Sequence, residues 1–166
     1  MNNQPVTANR RKPLYTAEQR ARRDASRWTL AQAVLAPLQF FVFAVSLFLV
    51  VRYLLTGNGL DIATASIVLK TFILYAIMIT GAIWEKDVFG KYLFADAFFW
   101  EDAVSMIVIA LHTAYLVMLL GNIGSPVAQI TVALAGYAAY VINAVQFLWK
   151  LRLARLEPIG AQGVAA

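Results

Sequence analysis

Residues 83–102, IWEKDVFGKYLFADAFFWED, place acidic and aromatic side chains close together. The stretch holds five of the nine acidic residues of the chain together with seven aromatic ones. Carboxyl groups act as general acids when desolvation and like-charged neighbours raise their pKa, and aromatic rings stack on flat ligands. The combination therefore predicts a site for a large, flat, amphiphilic molecule with the shape of a tetrapyrrole, with a carboxylic acid available for proton transfer.

The candidate proton donors are Glu101, Asp102 and Glu85. Glu101 is favoured because on a helix it shares one face with Ser105 and His112. His112 falls in the middle of an apolar segment, where an ionisable residue is functional by default, and it is a further catalytic candidate. The residues expected to stack on the ligand, or to orient it or a water molecule, are Trp84, Phe99, Trp100, Gln32, Gln39, Tyr75, Tyr140, Asn143 and Gln146. The expected site contains no protein-bound metal.

These features also have simpler interpretations. Amides and hydroxyls inside a helical bundle often only hydrogen-bond neighbouring helices. Lys70 either extends its ammonium group toward the far membrane surface or belongs to the site. The aromatic residues can form an interfacial belt, and Glu101 and Asp102 can be first-turn acids that favour the helix dipole. None of these interpretations explains why acids and flat rings coincide at one surface.

Four apolar segments carry these residues, at about 30–55, 62–84, 98–120 and 127–149, and each is near the ~20 residues that cross a bilayer. Hydrophobic residues make up 61% of the chain and the mean hydropathy is +0.67, well above a soluble domain. The predicted fold is all-α, an integral membrane four-helix bundle over residues 28–155. Asp61, Asp96 and Ser125 are expected to cap the helices that follow them.

The basic residues predict the orientation. Seven of the fourteen lysines and arginines precede Trp28, and most of the others lie at 86–91 and 150–155. By the positive-inside rule both termini and the loop at 85–97 face the cytoplasm. The four tryptophans are then all expected at cytoplasmic helix ends.

The two ends of the chain have their own predictions. Residues 1–27 are expected to form a basic cytoplasmic arm with a short surface helix at 17–27, which begins after a capping box at Thr16–Gln19. Residues 156–166 are expected to form a flexible tail. No nucleic-acid motif accompanies the basic arm, so the lipid bilayer and not nucleic acid is the expected partner.

Several strings together carry a family resemblance: YTAEQRARRD (15–24), IWEK (83–86), VFG (88–90), FFWED (98–102), ALHTAY (110–115) and YVINA (140–144). They resemble the 3-vinyl bacteriochlorophyllide hydratases of photosynthetic bacteria over most of the chain. The resemblance implies water addition across the C3-vinyl group of chlorophyllide a or a bacteriochlorophyllide, which gives the 3-(1-hydroxyethyl) pigment on the route to bacteriochlorophyll. It implies no cofactor, because the magnesium is carried by the substrate. Other pigment-biosynthesis enzymes or a homo-oligomer stay open as further partners.

Such a hydration needs a protonated acid near the vinyl group, a positioned water molecule and exclusion of bulk solvent. A non-catalytic tetrapyrrole carrier or assembly protein is the alternative, with His112 as the axial magnesium ligand. A small transporter would need polar residues reaching both membrane faces, whereas here they are concentrated toward one. His112 is predicted to organise the pocket through Tyr75, Gln39 or Tyr140 and not to bind the magnesium.

Overall fold

The computed structural model describes residues 14–156, which form five helices: α1 (Ala17–Ala25), α2 (Arg27–Thr56), α3 (Leu60–Phe89), α4 (Phe99–Leu120) and α5 (Pro126–Leu156). Helices α2 to α5 are long and apolar enough to cross a membrane. No strand occurs within residues 14–156, so the all-α prediction is confirmed for that range. The first 13 residues of the predicted arm and residues 157–166 of the predicted tail lie outside the described range.

Two predicted helix starts are present and two are wrong. Thr16 forms the capping box before α1, and Ser125 accepts a hydrogen bond from the first turn of α5. In contrast, Gly59 precedes α3 with Asp61 inside the first turn, where a carboxylate favours the helix dipole without capping the backbone. Asp96 does not cap α4 either, because its exposed carboxylate pairs with Lys91 at 3.3 Å.

Two helices extend further than predicted. Helix α3 continues to Phe89, where Gly90 ends it with a left-handed φ of 82°, and α5 continues to Leu156. The additional turns place Glu85 within α3 and Lys150 within α5. Both side chains are therefore held on rigid elements, directed at the start of α4.

The four long helices form two antiparallel hairpins. Helix α2 packs closely on α3, and α4 on α5, whereas the two hairpins meet at fewer points. We call the interface between the hairpins the seam. The tryptophans lie at the start of α2, the end of α3, the start of α4 and the end of α5, so all four share one end of the bundle, the tryptophan end. Helix α1 packs against α3 at this end.

The bundle is apolar outside and partly polar inside. Large apolar side chains are exposed on all four long helices, among them Phe48 (68%), Phe72 (60%) and Leu148 (66%). The fully buried residues include Lys70 and His112. This inversion of the soluble pattern is typical of a membrane protein. Lys70 is 0% exposed, so it does not extend to the far surface.

Candidate active site

Three carboxyl groups meet at the tryptophan end: Glu85 from the last turns of α3, and Glu101 and Asp102 from the first turn of α4. We call these three residues the carboxyl cluster. All three are buried, with 3–5% of each residue exposed, although they lie near an end of the bundle. Buried carboxyl groups need partners, and their partners differ.

Glu85 and Asp102 hold the loop between α3 and α4 against the bundle. The Phe94 N–H donates to Asp102 Oδ2 at 2.7 Å, and the Ala95 N–H donates to Glu85 Oε2 at 3.3 Å. Phe94 has a φ of 58°, a left-handed conformation that is uncommon for a non-glycine residue and that these two hydrogen bonds help to hold.

The carboxyl groups of Glu85 and Asp102 also lie close enough to interact with each other. Two neighbouring carboxylates repel each other when both are ionised, whereas a carboxylic acid can donate a hydrogen bond to a carboxylate. The pair therefore favours a state in which one group carries a proton. The two buried carboxyl groups lie beneath a loop that both side chains hold by hydrogen bonds.

Glu101 has a different environment. Lys150 Nζ lies 2.5 Å from Glu101 Oε2 and also donates to the Ala97 carbonyl. Asn143 Nδ2 donates to the Glu101 backbone carbonyl at 2.8 Å and to Ser105 Oγ at 3.0 Å. In this ion pair Glu101 is engaged as a carboxylate, which has no proton to deliver. The geometry thus favours the Glu85–Asp102 pair as the acid.

The aromatic residues divide into an inner and an outer group. The inner rings pack on one another at centroid separations of 5.6 to 6.5 Å and are Tyr15, Trp84, Phe89, Phe98 and Phe147. The outer pair, Phe99 and Trp100, is 47% and 70% exposed. Of the three rings predicted to stack on a ligand, only Trp84 is directed inward, and its Nε1 donates to Thr29.

Lys70 and His112 form a second polar centre deeper in the bundle, which we call the deep pair. Both are 0% exposed, and Lys70 Nζ lies 2.8 Å from His112 Nε2. His112 Nδ1 lies 2.8 Å from the Val108 carbonyl, which can only accept, so Nδ1 carries the hydrogen and Nε2 accepts from Lys70. The ring also stacks on Tyr137 at 5.8 Å.

The hydrogen-bond partners of His112 are therefore Lys70 and the Val108 carbonyl, and not the three residues that the sequence predicts. Neither Tyr75 nor Gln39 bonds to it: the Tyr75 hydroxyl bonds Thr113 at 2.7 Å, and Tyr140 instead places its ring 4.4 Å from Lys70 Nζ. Both ring nitrogens of His112 are occupied by hydrogen bonds, so neither is available to a magnesium ion in this arrangement.

The predicted amide residues behave in two ways. Gln32 donates to Thr80 at 2.7 Å and Asn143 links α5 to α4, which fits the simpler interpretation of interhelical hydrogen bonding. In contrast, both amide atoms of Gln39, and Gln146 Oε1, are buried without a partner among the described residues. Unpaired buried amides are rare, and they mark positions where a ligand or a water molecule would bind.

Sequence reasoning did not assign three of the residues that complete these networks. The sequence indicates only an orienting role for Lys150 and leaves two interpretations open for Lys70. Ser46 bonds the Tyr137 hydroxyl at 2.5 Å and joins α2 to α5 across the seam. A lysine in the middle of an apolar segment was the available signal for Lys70; nothing in the local sequence distinguishes Lys150 from its basic neighbours.

Comparison with known proteins identifies relatives over nearly the whole chain. Residues 15–153 match the family model described as 2-vinyl bacteriochlorophyllide hydratase. A protein of that name from Cereibacter sphaeroides is 66% identical over 159 residues, which cover 95% of this chain and 97% of the relative. Another, from Rhodobacter capsulatus, is 65% identical over 158 residues, covering 95% and 91%. No solved structure matches the chain.

Proposed function

The chain belongs to the 2-vinyl bacteriochlorophyllide hydratase family, and we propose that it adds water to the vinyl group of its substrate at the carboxyl cluster. It is a hydro-lyase of bacteriochlorophyll biosynthesis that acts on a bacteriochlorophyllide-type chlorin. The family name numbers the vinyl position 2 where the sequence-based expectation used 3; the reaction, hydration of a vinyl substituent, is the same.

The assignment of the acid is carried by the burial of Glu85 and Asp102 side by side beneath one loop, because two adjacent buried carboxyl groups favour sharing one proton. In the first step the shared proton moves to the terminal vinyl carbon, and the carbon next to the macrocycle becomes a cation that ring conjugation stabilises. In the second step a water oxygen bonds to that carbon and releases a proton to the carboxylate pair. The C=C bond and one water become CH(OH)–CH3, and the acid is regenerated.

Other residues would supply binding and solvent control. Glu101, fixed by Lys150, places a negative charge near the developing cation. The unpaired oxygen of Gln146 is a suitable acceptor for the attacking water or a nearby substrate donor. The reaction requires no redox change, so the proposal needs no cofactor, and the magnesium belongs to the substrate.

We place the carboxyl cluster on the cytoplasmic side, with both termini inside the cell. The support comes from the basic residues at the tryptophan end, which include Arg22, Arg23, Lys86 and Arg152, whereas Arg52 is near the opposite end. The membrane would be the bacterial inner membrane or its intracytoplasmic extension.

Turnover by membranes containing the protein tests this function. Membranes from a host that makes no bacteriochlorophyll would be incubated with a vinyl-bearing bacteriochlorophyllide, and the pigment would be analysed by mass spectrometry. We expect many equivalents of pigment per protein to gain the mass of one water. Pigment that is retained stoichiometrically and unchanged would contradict the proposal and indicate a carrier.

A further inference from the structure

Lys70 is a buried amine that has no acidic partner among the described residues. Its residue is 0% exposed, and the only hydrogen bond that the described residues give its Nζ is the one to His112. No ion pair within residues 14–154 includes it. Because His112 accepts through Nε2 and donates through Nδ1, its ring is neutral and does not compensate the charge. An uncompensated charge in a membrane interior is costly and points to function.

The surroundings of Lys70 accept a cation without neutralising it. Its Nζ lies 4.4 Å from the ring centroid of Tyr140, 4.9 Å from that of Tyr137 and 5.9 Å from that of Phe43. The faces of these rings favour an ammonium group. They leave its remaining N–H bonds without a strong acceptor. The ammonium group can therefore donate a further hydrogen bond to one anionic oxygen ligand.

An amide without a hydrogen-bond partner among the described residues lies on α2, in the same hairpin as Lys70. Gln39 is 1% exposed, and neither its Nε2 nor its Oε1 has a partner among the described residues. It precedes Phe43 by one helical turn on the buried face of α2, and Phe43 is part of the ring group around Lys70. Among the described residues, Lys70 thus has His112 as its only acceptor, and the Gln39 amide has no partner at all.

The substrate class supplies such an acceptor. A bacteriochlorophyllide carries a free carboxyl group, and its vinyl group is on the opposite side of the macrocycle. Lys70 and Glu85 are 15 residues apart on α3, so their Cα atoms are separated by about 22 Å. A chlorin with its carboxyl arm covers a large part of this separation, and the lengths of the two side chains can cover the rest.

We propose that Lys70, assisted by Gln39, binds the substrate carboxylate in the seam, with the vinyl group of the same molecule at the carboxyl cluster. The inference rests on the proposed function, since it uses that reaction to fix the vinyl end. Lys70 is then a specificity-determining residue that selects the free acid over its ester, and His112 is a positioning residue that orients the ammonium group.

The test combines a change in the protein with a matching change in the ligand. Lys70→Met removes the charge at nearly constant length, and a methyl ester removes the charge of the pigment. Pigment binding would be measured by absorbance in the Asp102→Asn background, so that the result does not depend on turnover. Arg52→Met, a change at an exposed cation away from the seam, is the matched control.

We expect Lys70→Met to weaken binding of the free acid by roughly 10- to 100-fold, the range for a lost hydrogen bond to a charged group. The ester should bind equally weakly with and without the substitution, and Lys70→Arg should restore part of the preference for the acid. Equal losses for acid and ester would overturn the proposal, as would no loss for either. Inactivity of the unmodified protein in the turnover assay would instead count against the proposed function.

Discussion

Gly136 is the position where the smallest change should disturb the deep pair. A Cβ on Gly136 would lie 2.9 Å from His112 Nδ1 and Cε1, whereas ordinary contact begins at about 3.4 Å. The ring would have to move by at least the difference, about 0.5 Å. Such a shift would stretch one of its two 2.8 Å hydrogen bonds to about 3.3 Å, beyond the usual range.

Two opposing effects set the stability of Gly136→Ala. Overpacking costs about 1–3 kcal/mol, whereas alanine is favoured over glycine inside a helix by about 1 kcal/mol. Gly81→Ala is the matched control, because its Cβ would lie at an ordinary 3.8 Å from Gln32. We expect Gly136→Ala to be about 1–3 kcal/mol less stable than Gly81→Ala, and substrate binding to weaken by roughly 10-fold or more.

The assay is unfolding of the purified protein in detergent, together with pigment binding. The double variant Gly136→Ala/His112→Ala separates the cause, since removing the ring removes the clash. We expect it to be no less stable than His112→Ala alone, so that the two effects are strongly non-additive. Gly136→Ala with the stability and binding of Gly81→Ala, or additive effects in the double variant, would refute the reasoning.

Two further predictions concern charge and orientation. Lys150→Met leaves the buried Glu101 without its ion-pair partner, so we expect a loss of stability of about 3–5 kcal/mol, measured by unfolding in detergent. The double variant Lys150→Met/Glu101→Gln should recover part of this loss. A Lys150→Met variant as stable as the parent would show that the pair is unimportant for stability. Because the chain has no cysteine, single cysteines introduced at positions 58, 91 and 123 report the topology directly. We expect a membrane-impermeant reagent in the periplasm to label positions 58 and 123 only. Labelling of position 91 from the periplasm would show that the orientation is the opposite one.

The sequence predicts the helices well because hydropathy and spacing are local properties. The four apolar segments, the capping box at Thr16 and the helix start at Pro126 all follow from residues close together in the chain. The wrong caps at Asp61 and Asp96 have a common reason. An acid before an apolar segment fits several positions of a helix start equally well, and only the backbone path decides which one it occupies.

The site is less predictable because its decisive contacts join distant residues. The ion pair between Glu101 and Lys150 depends on how far α5 extends past the predicted membrane boundary. The choice of Lys70 and not Tyr75 as the hydrogen-bond partner of His112 depends on the relative rotation of α3 and α4. Helical periodicity constrains this rotation only loosely. Burial of the carboxyl cluster depends on the loop at 90–98, whose path is fixed by the acids themselves.

The central claim is that the Glu85–Asp102 pair supplies the proton, and the turnover of Asp102→Asn tests it most directly. The asparagine keeps the size of the side chain but cannot carry the shared proton. Asp96→Asn, which changes an exposed acid in the loop before α4, is the control. With pigment binding verified for each variant, mass spectrometry of the product should show hydration reduced by about 10²–10⁴-fold in Asp102→Asn and unchanged in Asp96→Asn. Asp102→Asn that binds pigment and hydrates it at the parent rate would contradict the account.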